Sequence, residues 1–129
     1  LITTVPGSSV YYKGSVISYD NSIKENILHV SPHTLQTHGA VSEATVLQMA
    51  KNVRTLMQTD YALAVSGIMG PDGGSDEKPV GTVWVGMCSQ QKTEAKKLHF
   101  RFDRRRNIEL TAIHALNILR QFILENSSN

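Results

Sequence analysis

Three observations predict a layered α/β domain. Strand-like and helix-like segments alternate along the 129 residues, the pattern that packs helices on a sheet. Tyr61-Ala62-Leu63-Ala64-Val65 and Gly81 to Cys88 are short apolar runs with the character of buried strands. The stretch Ser66 to Trp84 that joins them holds five of the nine glycines and two of the four prolines. A turn of that composition has a restricted shape and exposes backbone N–H groups at the end of a buried strand, which suits an anionic ligand.

Val5-Pro6-Gly7-Ser8-Ser9 reads as a turn leading into a short helical piece. Gly14 to Tyr19, rich in β-branched residues, predicts a strand. Asp20-Asn21-Ser22 is a helix-start cluster, and Ile23, Ile27 and Leu28 share one face of the short helix it begins. Ser31-Pro32-His33-Thr34-Leu35 starts a second short helix, with proline in its tolerated first-turn position. The clearest helix runs from Ser42 to about Gln58. Ser42 is its N-cap, Glu43 suits the positive end, and Val41 with Val46 has hydrophobic-staple spacing. Val46, Met49, Ala50, Val53 and Met57 form its inner stripe. Ala95 to Phe102 alternates as a half-exposed strand, with Leu98, Phe100 and Phe102 inward and Lys97, His99 and Arg101 outward. Asn107 to about Leu124 predicts a closing helix packed through Ile108, Ala112, Ala115, Leu119, Phe122 and Ile123. Glu125 to Asn129 is a polar tail.

Length and composition fit one domain with a real core. Forty per cent apolar and 19% charged residues describe an ordinary globule. No apolar run approaches the roughly 20 residues that span a bilayer, so no membrane association is expected. A net charge of +2 gives no argument for nucleic acid. The single cysteine, Cys88, allows no internal disulfide and fits a reducing cytoplasm. Its apolar strand predicts a buried structural thiol.

Tyr19 and Lys24 are the first candidates for chemistry. The end of a strand and the following helix turn both face the crevice where α/β sheets bind ligands. A lysine there acts as a general base when burial or a neighbouring cation depresses its pKa, and a phenol beside it relays a proton or holds substrate. The alternative is a solvated helix lysine and a packing tyrosine. Ser66, before Gly67, either bonds a ligand beside a nest of N–H groups or caps the strand end. No His–acid pair or G-x-S-x-G elbow makes it a nucleophile. Asp103-Arg104-Arg105-Arg106 offers a bidentate phosphate clamp or a solvated charge run. The five histidines show no ligand spacing, and Asp72, Asp76 and Glu77 match no calcium loop. No metal site is expected.

Val5-Pro6-Gly7-Ser8-Ser9, Gly14 to Tyr19 with Lys24, Thr37-His38-Gly39-Ala40-Val41-Ser42-Glu43 and above all Ser66 to Trp84 resemble the CinA C-terminal domain family. That family is the competence/damage-inducible one whose members include bacterial nicotinamide mononucleotide deamidases. The resemblance covers essentially the whole chain. It implies a three-layer α/β/α sandwich with a mixed sheet, and hydrolysis of the carboxamide of nicotinamide mononucleotide to nicotinate mononucleotide and ammonia, in pyridine nucleotide salvage. It implies a serine nucleophile activated by a lysine with a tyrosine nearby, a homodimer, and no cofactor or metal. Lys24 and Tyr19 match the catalytic lysine and tyrosine. Ser66 falls where the family commonly has threonine. Gly67, Gly70, Gly73 and Gly74 belong to the substrate loop, and Arg104 matches a basic position suited to the substrate phosphate. The family's serine lies in an Ala-Glu-Ser-Cys-Thr-Gly-Gly segment ahead of the part represented by Leu1-Ile2-Thr3-Thr4, and these residues do not include it. The expectation is therefore a single domain over residues 1–129, truncated at its N-terminus, without its first βα unit and with an inner sheet position empty. A non-catalytic nucleotide-binding or regulatory domain is the alternative.

Overall fold

The computed structural model describes residues 1–127, so Ser128 and Asn129 of the polar tail lie outside the described residues. Two single-turn 3-10 helices, Ile2–Thr4 and Ser8–Val10, open the chain. Residues 12–19 follow with burial alternating at every second position, the period of a strand. They pair with no other segment, so the strand expected over Gly14–Tyr19 is not formed. Alternation specifies which side chains turn inward, and a ladder needs a partner as well.

Three helices come next. α1 (Asn21–Asn26) is capped by the Asp20 carboxylate, which accepts from the Ser22 N–H at 3.0 Å. α2 (Pro32–His38) has proline in its first turn. α3 (Glu43–Met57) starts where the Ser42 hydroxyl oxygen accepts from the Thr45 N–H at 3.2 Å and stops at Gln58, whose φ of 54° is left-handed. The Ser42 hydroxyl itself donates to the Gly39 carbonyl, so the cap also fixes the turn before α3. Ser42→Ala is expected to cost at least about 1 kcal/mol, measured as a lowered urea midpoint with an unchanged slope.

The sheet consists of β1 (Ala62–Gly67), β2 (Thr82–Cys88) and β3 (Thr93–His99), in the order β1-β2-β3. Both pairings are antiparallel, with Ser66 opposite Trp84 and Val85 opposite Lys96. The parallel component of a mixed sheet is thus not formed by the described residues. Among them β1 is an edge strand, and beside it runs an open apolar groove of about 370 Å³ walled by Leu63, Val65, Ala112, Ala115, Leu116 and Ile2.

Side-chain parity sorts the strands into two covered faces, which makes the three layers. Ala62, Ala64, Trp84, Cys88 and Ala95 face α3, where Val46, Met49 and Ala50 meet them together with Val16, Leu28, Val30 and Leu35. Leu63, Val65, Val83, Val85, Met87 and Leu98 face the closing helix α4 (Arg104–Asn126), which contributes Ala115, Ile118 and Phe122. Gly86 is required by the α3 contact, because a Cβ there would stand 2.5 Å from the Val46 carbonyl oxygen. Cys88 is buried, as its strand implied.

Several sequence boundaries move. β1 continues through Ser66 and Gly67, and β3 ends at His99, leaving Phe102 56% exposed. α4 begins at Arg104, because the Asp103 carboxylate caps it by accepting from the Arg106 N–H at 2.8 Å. Its buried stripe is Asn107, Thr111, Ala115, Ile118 and Phe122, and Ile108 is exposed. Glu125 and Asn126 are helical.

Candidate functional site

The glycine-rich connection between β1 and β2 is tied at three places. At its mouth, the Ile68 N–H donates to the Thr82 carbonyl at 2.9 Å and the Gly81 N–H donates to the Ile68 carbonyl at 2.6 Å. On the α4 side, the Asn107 amide donates to the Met69 carbonyl at 2.9 Å and Arg104 Nη1 to the Gly70 carbonyl at 2.8 Å, just before a cis Gly70–Pro71 bond. On the other side, the Lys78 ammonium donates to the His38 carbonyl at the end of α2. Between these ties, Ser75 and Lys78 close a smaller turn through the Ser75 N–H and the Lys78 carbonyl at 2.9 Å.

The loop encloses an open cup of about 450 Å³ lined by Pro71, Asp72, Gly73, Gly74, Asp76 and Val80, among others. Gly73 and Gly74 thus lie on the lining of the cup, with Gly70 buried. Two carboxylates on the lining oppose a phosphate inside the cup itself. Arg104, the expected phosphate contact, holds the loop backbone through Nη1, which donates to the Gly70 carbonyl.

Lys24 has the strongest chemical signature. It is buried to 6% exposure on α1, and its ammonium donates to the Ser18 carbonyl. Desolvation pushes its pKa below the ordinary lysine value, against the opposing attraction of Asp20. Asp20 is exposed, and the two Ser22 hydrogen bonds hold its carboxyl below the usual range. An amine in that setting is available as a proton acceptor more often than a surface lysine is. Tyr19 is 86% exposed. Ser66 is half-buried at the end of β1, on the strand parity that faces α3. Val16, Leu28 and Val30 flank α1 in sequence and pack in that same α3-side cluster. The segments on either side of α1 are thus anchored on the side of the sheet toward which Ser66 turns, and no direct hydrogen bond joins Lys24 and Ser66 among the described residues.

Asn107 and Lys78 hold the loop and were not singled out by the sequence. For Asn107 a signal exists: it stands at i, i+8, i+11 and i+15 spacing with Ala115, Ile118 and Phe122 on the inner face of α4, and an amide in such a position is buried with a purpose. Lys78 sits in an ordinary charged turn and carries no comparable mark.

A three-layer domain with antiparallel strands, a tied glycine-rich loop and a buried lysine is the class that these features define. The CinA C-terminal domain family model matches residues 1–123. The chain belongs to that family. It is similar to a CinA-like protein of Amoebophilus asiaticus, 47% identical over 121 residues, which are 94% of this chain and 29% of that protein. It is also similar to a CinA-like protein of Thermosipho melanesiensis, 44% identical over 124 residues, covering 93% of this chain and 30% of that protein. The chain thus spans less than a third of the length of these curated relatives. Among solved structures, competence damage-inducible protein A from Klebsiella pneumoniae superposes with a TM-score of 0.93 at 32% identity, over 98% of this chain and 78% of that one. A competence/damage-inducible protein from Agrobacterium tumefaciens gives a TM-score of 0.89 at 35% identity, over 92% and 73% of the two chains. Among the described residues no helix is long and apolar enough to cross a membrane.

Proposed function

We propose that this domain serves the hydrolysis of the carboxamide of nicotinamide mononucleotide, with Lys24 as the proton acceptor. The observation that carries the reading is a buried ammonium whose hydrogen-bond partner is a backbone carbonyl. A lysine without a bonded carboxylate, held out of water, is suited to deprotonation. The reaction needs a nucleophile, and the serine-bearing segment of the family is not among these 129 residues. The complete reaction is therefore attributed to a protein that carries this domain together with such a serine.

In that reaction the serine oxygen attacks the carboxamide carbon and its proton passes to the neutral Lys24 amine. The C–N bond then breaks, with Lys24 returning the proton to the departing ammonia. Water attacks the acyl-serine, losing a proton to Lys24; the acyl C–O bond then breaks, Lys24 returns that proton to the serine oxygen, and nicotinate mononucleotide leaves. Tyr19 orients substrate or assists the proton transfer. Ser66 and the backbone of Gly67, Gly70, Gly73 and Gly74 position substrate or stabilise the oxyanion. Arg104 adds positive charge for the phosphate.

Trp84, the only tryptophan and the strand partner of Ser66, provides the direct test. Titration with nicotinamide mononucleotide is expected to change its fluorescence saturably in this chain. The serine-bearing protein is expected to release ammonia from the same compound. Absence of both binding and ammonia release would overturn the proposal. Binding with no release by the serine-bearing protein would favour a non-catalytic nucleotide-binding module.

A further inference from the structure

We propose that Asn107 is the positioning residue that sets the glycine-rich loop against the sheet; its bearing on substrate rests on the reading above. Asn107 is fully buried, at 0% exposure, in the first turn of α4. Its amide is saturated by partners from two other backbone segments. Nδ2 donates to the Met69 carbonyl at 2.9 Å and to the Phe102 carbonyl at 3.0 Å, while Oδ1 accepts from the Phe102 N–H at 3.1 Å. One side chain therefore joins the loop, the β3–α4 connection and the helix start.

Only a carboxamide supplies two donors and an acceptor from one planar group. A carboxylate offers acceptors alone to two carbonyls, and an alkyl group strands three backbone groups in a buried place. Two neighbours reinforce the arrangement. Thr111, one turn on, donates to the Asn107 carbonyl at 2.7 Å, and Arg104 holds the next loop residue, Gly70. The loop residues beyond, 71–77, are exposed. Their placement follows from where Met69 and Gly70 are fixed.

The test separates placement of the loop from general stability. Asn107→Leu is compared with Phe122→Leu, a core change at the far end of α4, chosen for an equal loss of thermal midpoint. Amide exchange of Gly70 to Ser75 is expected to quicken at least tenfold in Asn107→Leu, with β2 amides quickened only as much as in Phe122→Leu. Affinity for nicotinamide mononucleotide, read at Trp84, is expected to weaken about tenfold in Asn107→Leu alone. Asn107→Ser, which offers one hydroxyl in place of the amide, is expected to fall between and serves if the leucine variant does not fold. Equal loop exchange in the two stability-matched variants would overturn the assignment and leave Asn107 as packing. If the unsubstituted chain binds no nicotinamide mononucleotide, the proposed substrate fails, while loop exchange still decides the role of Asn107.

Discussion

Gly81→Ala is expected to leave the chain without a stable native state, lowering stability by more than about 4 kcal/mol. Two independent obstacles combine there. Gly81 has a φ of +93°, in the region that side-chain-bearing residues rarely adopt. A Cβ at this position would stand 1.6 Å from the Phe100 carbonyl oxygen, far inside van der Waals contact. The clash cannot be relieved by a side-chain rotation, because the obstacle is backbone. Gly81 also donates to Ile68 and accepts from the Phe100 N–H at 2.9 Å. Moving it separates the mouth of the loop from the end of β3. Against a typical total stability of about 5–15 kcal/mol, such a loss consumes most of the margin of a domain at the lower end of that range. Circular dichroism of the purified variant checks it: a native-like thermal transition within a few degrees of the parent would contradict the strain argument.

Lys24→Met is expected to act in opposite directions on stability and on activity. Burial lowers the lysine pKa in the folded state, so between that value and the ordinary 10.5 the unfolded chain binds more protons than the native one. Native stability therefore rises with pH across that window and is lowest below it, where the buried amine must stay charged. Methionine fills similar space without a charge and removes this dependence. Urea midpoints are expected to be higher for the variant at pH 7, with the gap narrowing as pH approaches 10. In a serine-bearing protein the same substitution is expected to slow ammonia release about 10²–10⁴-fold, the usual contribution of a positioned base. Full turnover by the variant would dismiss Lys24 as the proton acceptor, whatever its effect on stability.

How much of this was legible in the sequence depended on whether a feature is local. The α3 cap at Ser42 and its stripe through Val46, Met49 and Ala50 follow from spacing within one helix, and they stand as expected. β2 was legible because an apolar run bounded by glycine has few other fates. Residues 12–19 show the limit: their alternation is real, but pairing depends on a neighbouring strand that no local pattern specifies. The start of α4 was misplaced by three residues because Asp103 was hidden in a run of charges, where a cap looks like one more solvated side chain.

The site divides in the same way. Residue types that suit proton transfer and a flexible backbone, Lys24 and the loop glycines, could be chosen from the sequence. The burial of Lys24 could not, since a lysine in a six-residue helix is usually solvated. Arg104 was read by its charge, whereas its position at the first turn of α4 gives it a carbonyl partner in the loop. Tyr19 was expected at a strand end facing the ligand crevice; no strand forms there, and its ring is open to water.

The two margins of the sheet are unequally guarded. Along β3, Lys92 beside it and Lys96 and Lys97 within it discourage another chain from zipping on. β1 reads Ala-Leu-Ala-Val-Ser-Gly and bears no charge at all. At high concentration, copies of this chain are expected to adhere through that uncharged rim, and a lysine introduced at Val65 should keep them apart.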